Sequence, residues 1–280
     1  MSSNFSKIIA TGSYLPKKVM TNYELEKLVD TSHEWIYERT GIVKRCIAED
    51  NESSVDMAYN ASIDVIERSG LDIKCIDMII VATTTPERVF PSSAVLLQNK
   101  LNIDNCFAFD VNAACTGFIY ALDIADKYIK NKSANNVLVV GSEKMSSIVD
   151  WNDRNTCVLF GDGAGAVLVT ASYDPGIISS TIGSNGSYKD LLTVNPDSDF
   201  IEMKGNDVFK IAVTTMGKLA SETLKSNNLN IEEIDWLIPH QANSRIINAI
   251  AKKISLPAEK IIMTIDVHGN TSAASIPLAM

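Results

Sequence analysis

The chain has 280 residues, 46% of them apolar and 21% charged, enough to bury one large core or two fused halves and too apolar for a disordered tail. A formal net charge of −9 argues against general nucleic-acid binding, though not against a local basic patch. No run reaches the ~18 apolar residues of a membrane span, and the first residues lack the basic-then-apolar layout of a signal segment, so a cytoplasmic protein is expected.

In chain order, 7–11 reads as a strand and 22–29 and 54–69 as helices. The run M-I-I-V-A-T at 78–83 is the pattern of a fully buried strand. A helix over 92–100, a strand over 106–111 and a helix over 116–130 follow, the last with Ile119, Leu122, Ala125 and Ile129 on one face. Residues 137–140 and 164–170 read as strands. Strands joined by crossover helices predict an α/β fold, with a mostly parallel sheet covered on both faces. G-D-G-A-G-A at 161–166 has the look of a dinucleotide loop. It lacks the long helix and the last glycine, and is read as a turn into a strand.

The strand–helix pattern repeats. I-D-M-I-I-V-A, a helix and F-A-F-D-V-N-A-A-C in the first half match I-D-W-L-I-P-H, a helix over 244–254 and K-I-I-M-T-I-D-V-H-G-N in the second. The D-V pair falls in the same place before each turn. The chain is therefore expected to form two pseudo-symmetric halves, 1–172 and 173–280, with the turns facing each other.

Each turn carries a reactive group. The five cysteines form no C-x-x-C pair, and with three histidines zinc spacing is absent, so no metal is expected. Cys115 lies where a strand yields to a helix; free N–H groups and the helix dipole there should lower its thiol pKa. The other cysteines read as structural. His240 follows W-L-I-P, at a strand's C-terminal end, where open α/β sheets carry their sites. Asn270 lies in H-G-N-T-S-A-A-S, where Gly269 permits a tight turn and small residues allow close packing. His33 and His268 read as structural or capping. A thiol, an imidazole and a carboxamide brought together make an acyl-transfer site with donors for a developing oxyanion.

These three contexts, with T-S-H-E-W-I-Y-E-R-T-G-I at 31–42, V-F-P-S-S-A at 89–94, L-F-G-D-G-A-G-A at 159–166 and K-G-N-D-V-F-K at 204–210, resemble β-ketoacyl-[acyl carrier protein] synthase III over essentially the whole chain. The resemblance implies a thiolase-like fold of two αβ halves with mixed five-stranded sheets, and a homodimer. It implies that Cys115 attacks an acyl-CoA, most simply acetyl-CoA. His240 and Asn270 then stabilise the enolate formed as malonyl-acyl carrier protein loses carbon dioxide, and the carbanion attacks the acyl-cysteine. Acyl-CoA is a substrate, and no cofactor is implied.

By the same resemblance Trp35 and Arg154 sandwich the CoA adenine, with Thr31 and Arg39 nearby. Phe209 and Asn243 line the pantetheine tunnel, and Phe90 crosses the dimer interface to close the acyl pocket. Lys210, Arg245, Lys252 and Lys253 form a basic cluster that would steer an acidic acyl carrier protein. Family members continue beyond the position of Met280 through two closing strands and a glycine-rich loop. The expectation is that the second half lacks those strands and that the 280-residue form is poorly folded or weakly active. Two other readings stay open: an inactive fragment that still binds CoA or carrier protein, and a relative in specialised metabolism with another acyl substrate. Aldol-type relatives use an additional glutamate near the cysteine, and none is near Cys115 in sequence.

Overall fold

Apolar residues of strict period two sort the first half into three layers. In the computed structural model, which describes residues 5–195 and 197–280, the chain runs β1 (Phe5–Tyr14), β2 (Lys18–Thr21), α1 (Asn22–Leu25), α2 (His33–Thr40), β3 (Lys44–Ile47), α3 (Ser54–Ser69), β4 (Met78–Ala82) and α4 (Ser93–Lys100). It continues through β5 (Phe107–Val111), α5 (Gly117–Lys130), β6 (Asn136–Glu143), α6 (Arg154–Cys157) and β7 (Gly163–Ser172). Then come β8 (Leu192–Val194), β9 (Ile201–Met203), α7 (Gly205–Ser226), α8 (Ser244–Lys253), α9 (Ile265–His268) and α10 (Ser275–Leu278).

One sheet of order β1-β7-β6-β4-β5 forms the middle layer. Its β4–β5 and β4–β6 pairs are parallel; β6–β7 and β7–β1 are antiparallel. The sheet is thus the mixed five-stranded one that the resemblance implies, and not the mostly parallel one read from the alternation, because β7 returns beside β6 with only the one-turn α6 between them and pairs antiparallel, as β1 does with β7. Every residue of β4 is buried, and they divide by parity. Ile79 and Val81 pack under α3 with Val55, Ala58 and Val65. Met78, Ile80 and Ala82 pack under α5 with Phe118, Ala121, Ala125 and Ile129. Each such side chain stabilises by about 1.5–3 kcal/mol, which makes this sheet the rigid reference for the site. Helix α3 is fixed at its start by a Ser53–Asp56 capping box and at its end by left-handed Gly70 (φ 67°).

Other expectations need correction. The helix over 22–29 forms only its first turn, α1. After Leu25 the chain continues in tight turns, with the Leu28 and Val29 amides both donating to the Leu25 carbonyl. In the second half the strands expected at the W-L-I and K-I-I-M-T-I-D-V runs reduce to a single parallel bridge, Leu237–Ile261. The Leu237 amide donates to Lys260 O at 2.8 Å and the Ile262 amide to Leu237 O at 2.9 Å. Two segments with no further strand beside them sustain little ladder. Asp266 and Val267 lie in α9 and not in a strand, unlike Asp110 and Val111.

The last segment packs on the first half's sheet instead, and glycines make room for it. A Cβ on Gly141 of β6 would lie 2.4 Å from the Ala273 carbonyl oxygen; one on Gly165 of β7 would lie 2.7 Å from the Leu278 nitrogen. G-D-G-A-G-A is therefore a turn into β7, whose glycines form the floor beneath α10. The β2–β3 and β8–β9 pairs and the long α7 were not foreseen.

Candidate active site

Strand β5 ends at Val111, and Ala114 takes a left-handed conformation (φ 46°). For a residue with a Cβ this costs of order 1–3 kcal/mol, a strain that gathers at functional sites. The kink sets Cys115 in one 3-10 turn directly ahead of α5. Cys115 lines a cavity of about 410 Å³ together with Thr84, Asn112, Ala114 and Ser272. Met145, Ile148, Phe160, Leu192, Val194 and Ile201 supply the apolar wall. The β8–β9 hairpin thus helps to wall the site.

The expected fall in the Cys115 pKa does not appear. Burial pushes the thiol up to about 11, and the nearby charge of Glu143 adds to this, while the Ser272 hydroxyl opposes it. A helix N-terminus favours a thiolate, but here its effect must work against removal of the sulfur from water.

Asn270 is buried and sewn to the first half. Its amide donates to Leu159 O at 2.9 Å, and its carbonyl accepts from the Gly161 amide at 3.1 Å. The Ser272 amide donates to Asn270 Oδ1 at 2.9 Å, which leaves the carboxamide NH2 as the free donor end. The 3-10 turn Ser272–Ala274 packs on the Cys115 turn. His240 joins the same segment from the other side, with Nδ1 2.6 Å from Ser275 Oγ. That hydroxyl also accepts the Gln241 amide at 3.2 Å. Assigning the Ser275 proton to Nδ1 leaves Nε2 as the protonated, donating nitrogen. Burial lowers the His240 pKa to about 4, so the ring is a neutral donor at neutral pH. All three residues are thus organised around one segment, 270–275.

Trp35 carries Arg39 at 4.7 Å and Arg154 at 5.1 Å from its ring centroid. Arg154 also donates to the Asp30 carbonyl at 2.7 Å. The Thr31 hydroxyl beside them is buried and makes no hydrogen bond. Phe209 is stacked by Arg245 at 5.4 Å. Asn243 caps α8 through the Arg245 amide at 2.8 Å and donates to Arg39 O at 2.9 Å, so its side chain ties α8 to α2.

All four residues of the basic cluster are exposed, but their contacts differ; Lys210 lies 3.7 Å from Asp207. Lys253 instead packs over Gly217 and donates to Thr214 O at 3.2 Å, a strut between α8 and α7. Phe90 is 83% exposed and does not line its own chain's cavity. His33 stacks between Tyr23 and Tyr37.

Sequence reasoning missed four positioning groups: Gln241, Ser272, Ser275 and Glu143. Gln241 is buried, donates to Pro239 O and Ile262 O, and accepts the Thr264 amide at 2.9 Å, so it fixes the His240 turn. Its adjacency to His240 was the available signal. Among the described residues no cluster of His, Cys, Asp and Glu could hold a metal, and no helix is long and apolar enough to cross a membrane.

Comparison with known proteins gives a consistent result. Residues 109–186 match the family described as 3-oxoacyl-[acyl-carrier-protein (ACP)] synthase III, and residues 224–280 match its C-terminal part. The chain is 52% identical to β-ketoacyl-[acyl-carrier-protein] synthase III of Thioalkalivibrio sulfidiphilus, over 99% of this chain and 89% of that protein. The crystal structure of 3-oxoacyl-[acyl-carrier-protein] synthase III from Aquifex aeolicus superposes with a TM-score of 0.96 at 51% identity, covering 98% of this chain and 89% of that one. The priming β-ketosynthase of the R1128 polyketide pathway superposes at 0.94 with 35% identity, over 99% and 87%. The chain belongs to the β-ketoacyl-[acyl-carrier-protein] synthase III family of thiolase-like condensing enzymes.

Proposed function

We propose that the protein catalyses a decarboxylative Claisen condensation of an acyl-CoA starter, acetyl-CoA in the simplest case, with malonyl-acyl carrier protein, the step that initiates fatty-acid synthesis. The observation that supports this is that Cys115 lines an apolar cavity with Ser272, while Asn270 and the Ser275 partner of His240 belong to the same segment, 270–275, behind that wall; His240 and Asn270 do not themselves line the cavity. Cys115 Sγ forms a bond to the acyl carbon, the carbon–sulfur bond to CoA breaks, and CoA leaves as a thiol. The malonyl thioester then binds beside the acylated Cys115. His240 Nε2–H and the Asn270 NH2 donate to its carbonyl oxygen as the carboxylate departs as carbon dioxide. Two neutral donors suit an enolate oxygen, because they stabilise its charge without quenching it by proton transfer. The enolate carbon attacks the acyl-cysteine, the carbon–sulfur bond to Cys115 breaks, and the departing thiolate takes a proton from solvent to regenerate the thiol as the β-ketoacyl product leaves.

Outside the cavity, Trp35 with Arg39 and Arg154 offers a stacking surface and two cations to the CoA nucleotide, and the unpartnered Thr31 hydroxyl offers a hydrogen bond. Arg154 lies over the Trp35 face, so a stacked adenine has to displace it. Phe209 and Asn243 lie on the proposed pantetheine path. Arg245, Lys252 and Lys210 are exposed cations for an acidic carrier protein, while Lys253 is engaged with α7. Exposed Phe90 is the side chain that would enter a second copy of the chain and close its acyl pocket.

Similarity to the priming ketosynthase of a polyketide pathway favours a second reading, in which the same half-reactions use another starter. Release of carbon dioxide from malonyl-acyl carrier protein, followed with acetyl-, butyryl- and isobutyryl-CoA, tests both. Turnover with acetyl-CoA supports fatty-acid initiation. Turnover only with longer or branched starters supports the second reading, and no turnover with any starter contradicts the condensation itself.

A further inference from the structure

Glu143 ends β6 and is 0% exposed. Its carboxylate accepts from Thr83 Oγ1 at 3.2 Å, the Thr84 amide at 2.9 Å, Thr84 Oγ1 at 3.1 Å, Thr85 Oγ1 at 2.8 Å and Ser272 Oγ at 2.9 Å. Two of these hydroxyls already accept an amide: Thr83 Oγ1 from Thr85 N at 3.1 Å and Thr85 Oγ1 from Lys144 N at 2.8 Å. Their protons therefore point at Glu143. A shell made of donors fits an ionised, acceptor-only carboxylate. The neighbouring Lys144 turns its ammonium away, onto the carbonyls of Glu49 and Glu52 at 2.8 Å. Glu143 is thus a buried carboxylate held by hydroxyls and an amide. Burial pushes its pKa up, and those hydrogen bonds oppose the rise.

Ser272 connects this group to the reaction. It is a non-glycine residue in left-handed conformation (φ 49°), its hydroxyl donates to Glu143, and it lines the cavity with Cys115. Glu143 itself does not reach the cavity. The site also poses a problem that the donors His240 and Asn270 do not solve: a buried thiol must lose its proton as it is acylated.

We propose that Glu143 accepts this proton through Ser272, in a relay from Cys115 Sγ to Ser272 Oγ to Glu143 Oε1. The proposal rests on the acyl-cysteine reading given above. As the bond from sulfur to the acyl carbon forms, the thiol proton moves to Ser272 Oγ and the Ser272 proton moves to Glu143. When the bond to CoA breaks, the CoA thiolate takes a proton from Ser272, and Glu143 returns its own. The relay ends as it began, and one acyl group has exchanged one thiol for another. Glu143 is a positioning and proton-holding residue that acts through Ser272.

The charged and titratable groups on the surrounding elements bear on the test. Cys115 faces Ser272 from the adjoining turn, Asp56 at the start of α3 is paired with Lys100, Lys144 points away, and His240 is neutral. Two measurements on the full chain, with Glu143→Gln and Ser272→Ala beside the wild type, decide the matter. The first is the rate of Cys115 acetylation by acetyl-CoA at neutral pH, by rapid quench and intact mass. The second is the Cys115 thiol titration midpoint, from iodoacetamide alkylation against pH without substrate.

Both variants are expected to slow acetylation by about 100-fold, the scale of a lost proton acceptor. The midpoint is expected to fall in Glu143→Gln, where a negative charge is removed, and to rise in Ser272→Ala, which removes the hydroxyl that turns from Glu143 to the sulfur once it is a thiolate. Opposite midpoint shifts with the same loss of rate are not produced by a merely structural role. Unchanged acetylation in Ser272→Ala, which removes one hydroxyl and should fold even if Glu143→Gln does not, overturns the relay. An unchanged midpoint in Glu143→Gln overturns the coupling to Cys115. If the wild type itself is not acetylated, the acyl-cysteine reading fails and the relay falls with it; the midpoint shifts would then show only whether Glu143 and Cys115 are coupled.

Discussion

The Ser275 hydroxyl lies 2.6 Å from Nδ1 of His240 and accepts the Gln241 amide at 3.2 Å. One serine thus accepts a hydrogen bond from the backbone on one side and donates one to the imidazole on the other. This sets the tautomer that leaves Nε2–H to the substrate. Ser275→Ala is expected to lower decarboxylation of malonyl-acyl carrier protein by at least about tenfold, short of the ~10⁴ seen when a catalytic histidine is held in the wrong tautomer. Acetylation of Cys115 should be unaffected. Rapid-quench measurement of the two half-reactions checks the split.

Asn270 and His240 act as a pair of donors to one oxygen. Removing either, as Asn270→Ala or His240→Ala, should cost about 10²–10³ in decarboxylation rate, near 3–4 kcal/mol. Cys115 acetylation should again survive. Loss of both half-reactions together would mean that these residues hold the fold and not the enolate.

The half-buried, neutral His240 makes stability depend on pH. Its folded pKa is near 4, against 6.5 for the free side chain. Between these values the unfolded chain binds the proton and the folded chain does not, so stability rises with pH across that window. The contribution is fully present above the unfolded value and is lost as pH falls toward the folded one, by about 3 kcal/mol in all. Urea unfolding of wild type and His240→Gln between pH 4 and 7 should show a difference that changes across this window and is flat above it.

Gly141 tests the packing that brings the two halves of the site together. A methyl group there meets the Ala273 carbonyl oxygen at 2.4 Å, and backbone cannot swing aside as a long side chain can. Gly141→Ala should cost about 1–3 kcal/mol by overpacking. It should also lower activity by displacing the turn that carries Ser272 and Asn270. Thermal unfolding and turnover measured on one preparation check both.

Among the basic residues, Arg245→Ala should raise KM for malonyl-acyl carrier protein, more at low salt than at high. Lys253→Ala should instead lower stability by loosening α7 from α8, with little effect on KM. A salt series on the two variants separates the roles.

Much of the first half was legible because its signals are local. The run M-I-I-V-A is buried on both faces and reads as a central strand, and α3 carries its own cap, period and terminal glycine. Cys115, His240 and Asn270 could be singled out as candidates because each stands among small or apolar neighbours. What stayed hidden is long-range. Glu143 approaches Cys115 through Ser272, 129 positions further along the chain, and no spacing rule announces that. The Cys115 pKa was misjudged because a helix terminus can be read in sequence, whereas the desolvation opposing it depends on what packs around the sulfur. The strands around Leu237 and Ile261 failed for a related reason: apolar runs make strands only where neighbours supply a ladder.

The central claim is that Cys115 carries the acyl group. Intact mass spectrometry after mixing the protein with acetyl-CoA, followed by peptide mapping and with Cys115→Ser alongside, tests it most directly. The account predicts one acetyl adduct, located on Cys115, absent from the variant, and discharged on addition of malonyl-acyl carrier protein. An unmodified protein, or an adduct that persists in Cys115→Ser, would contradict it.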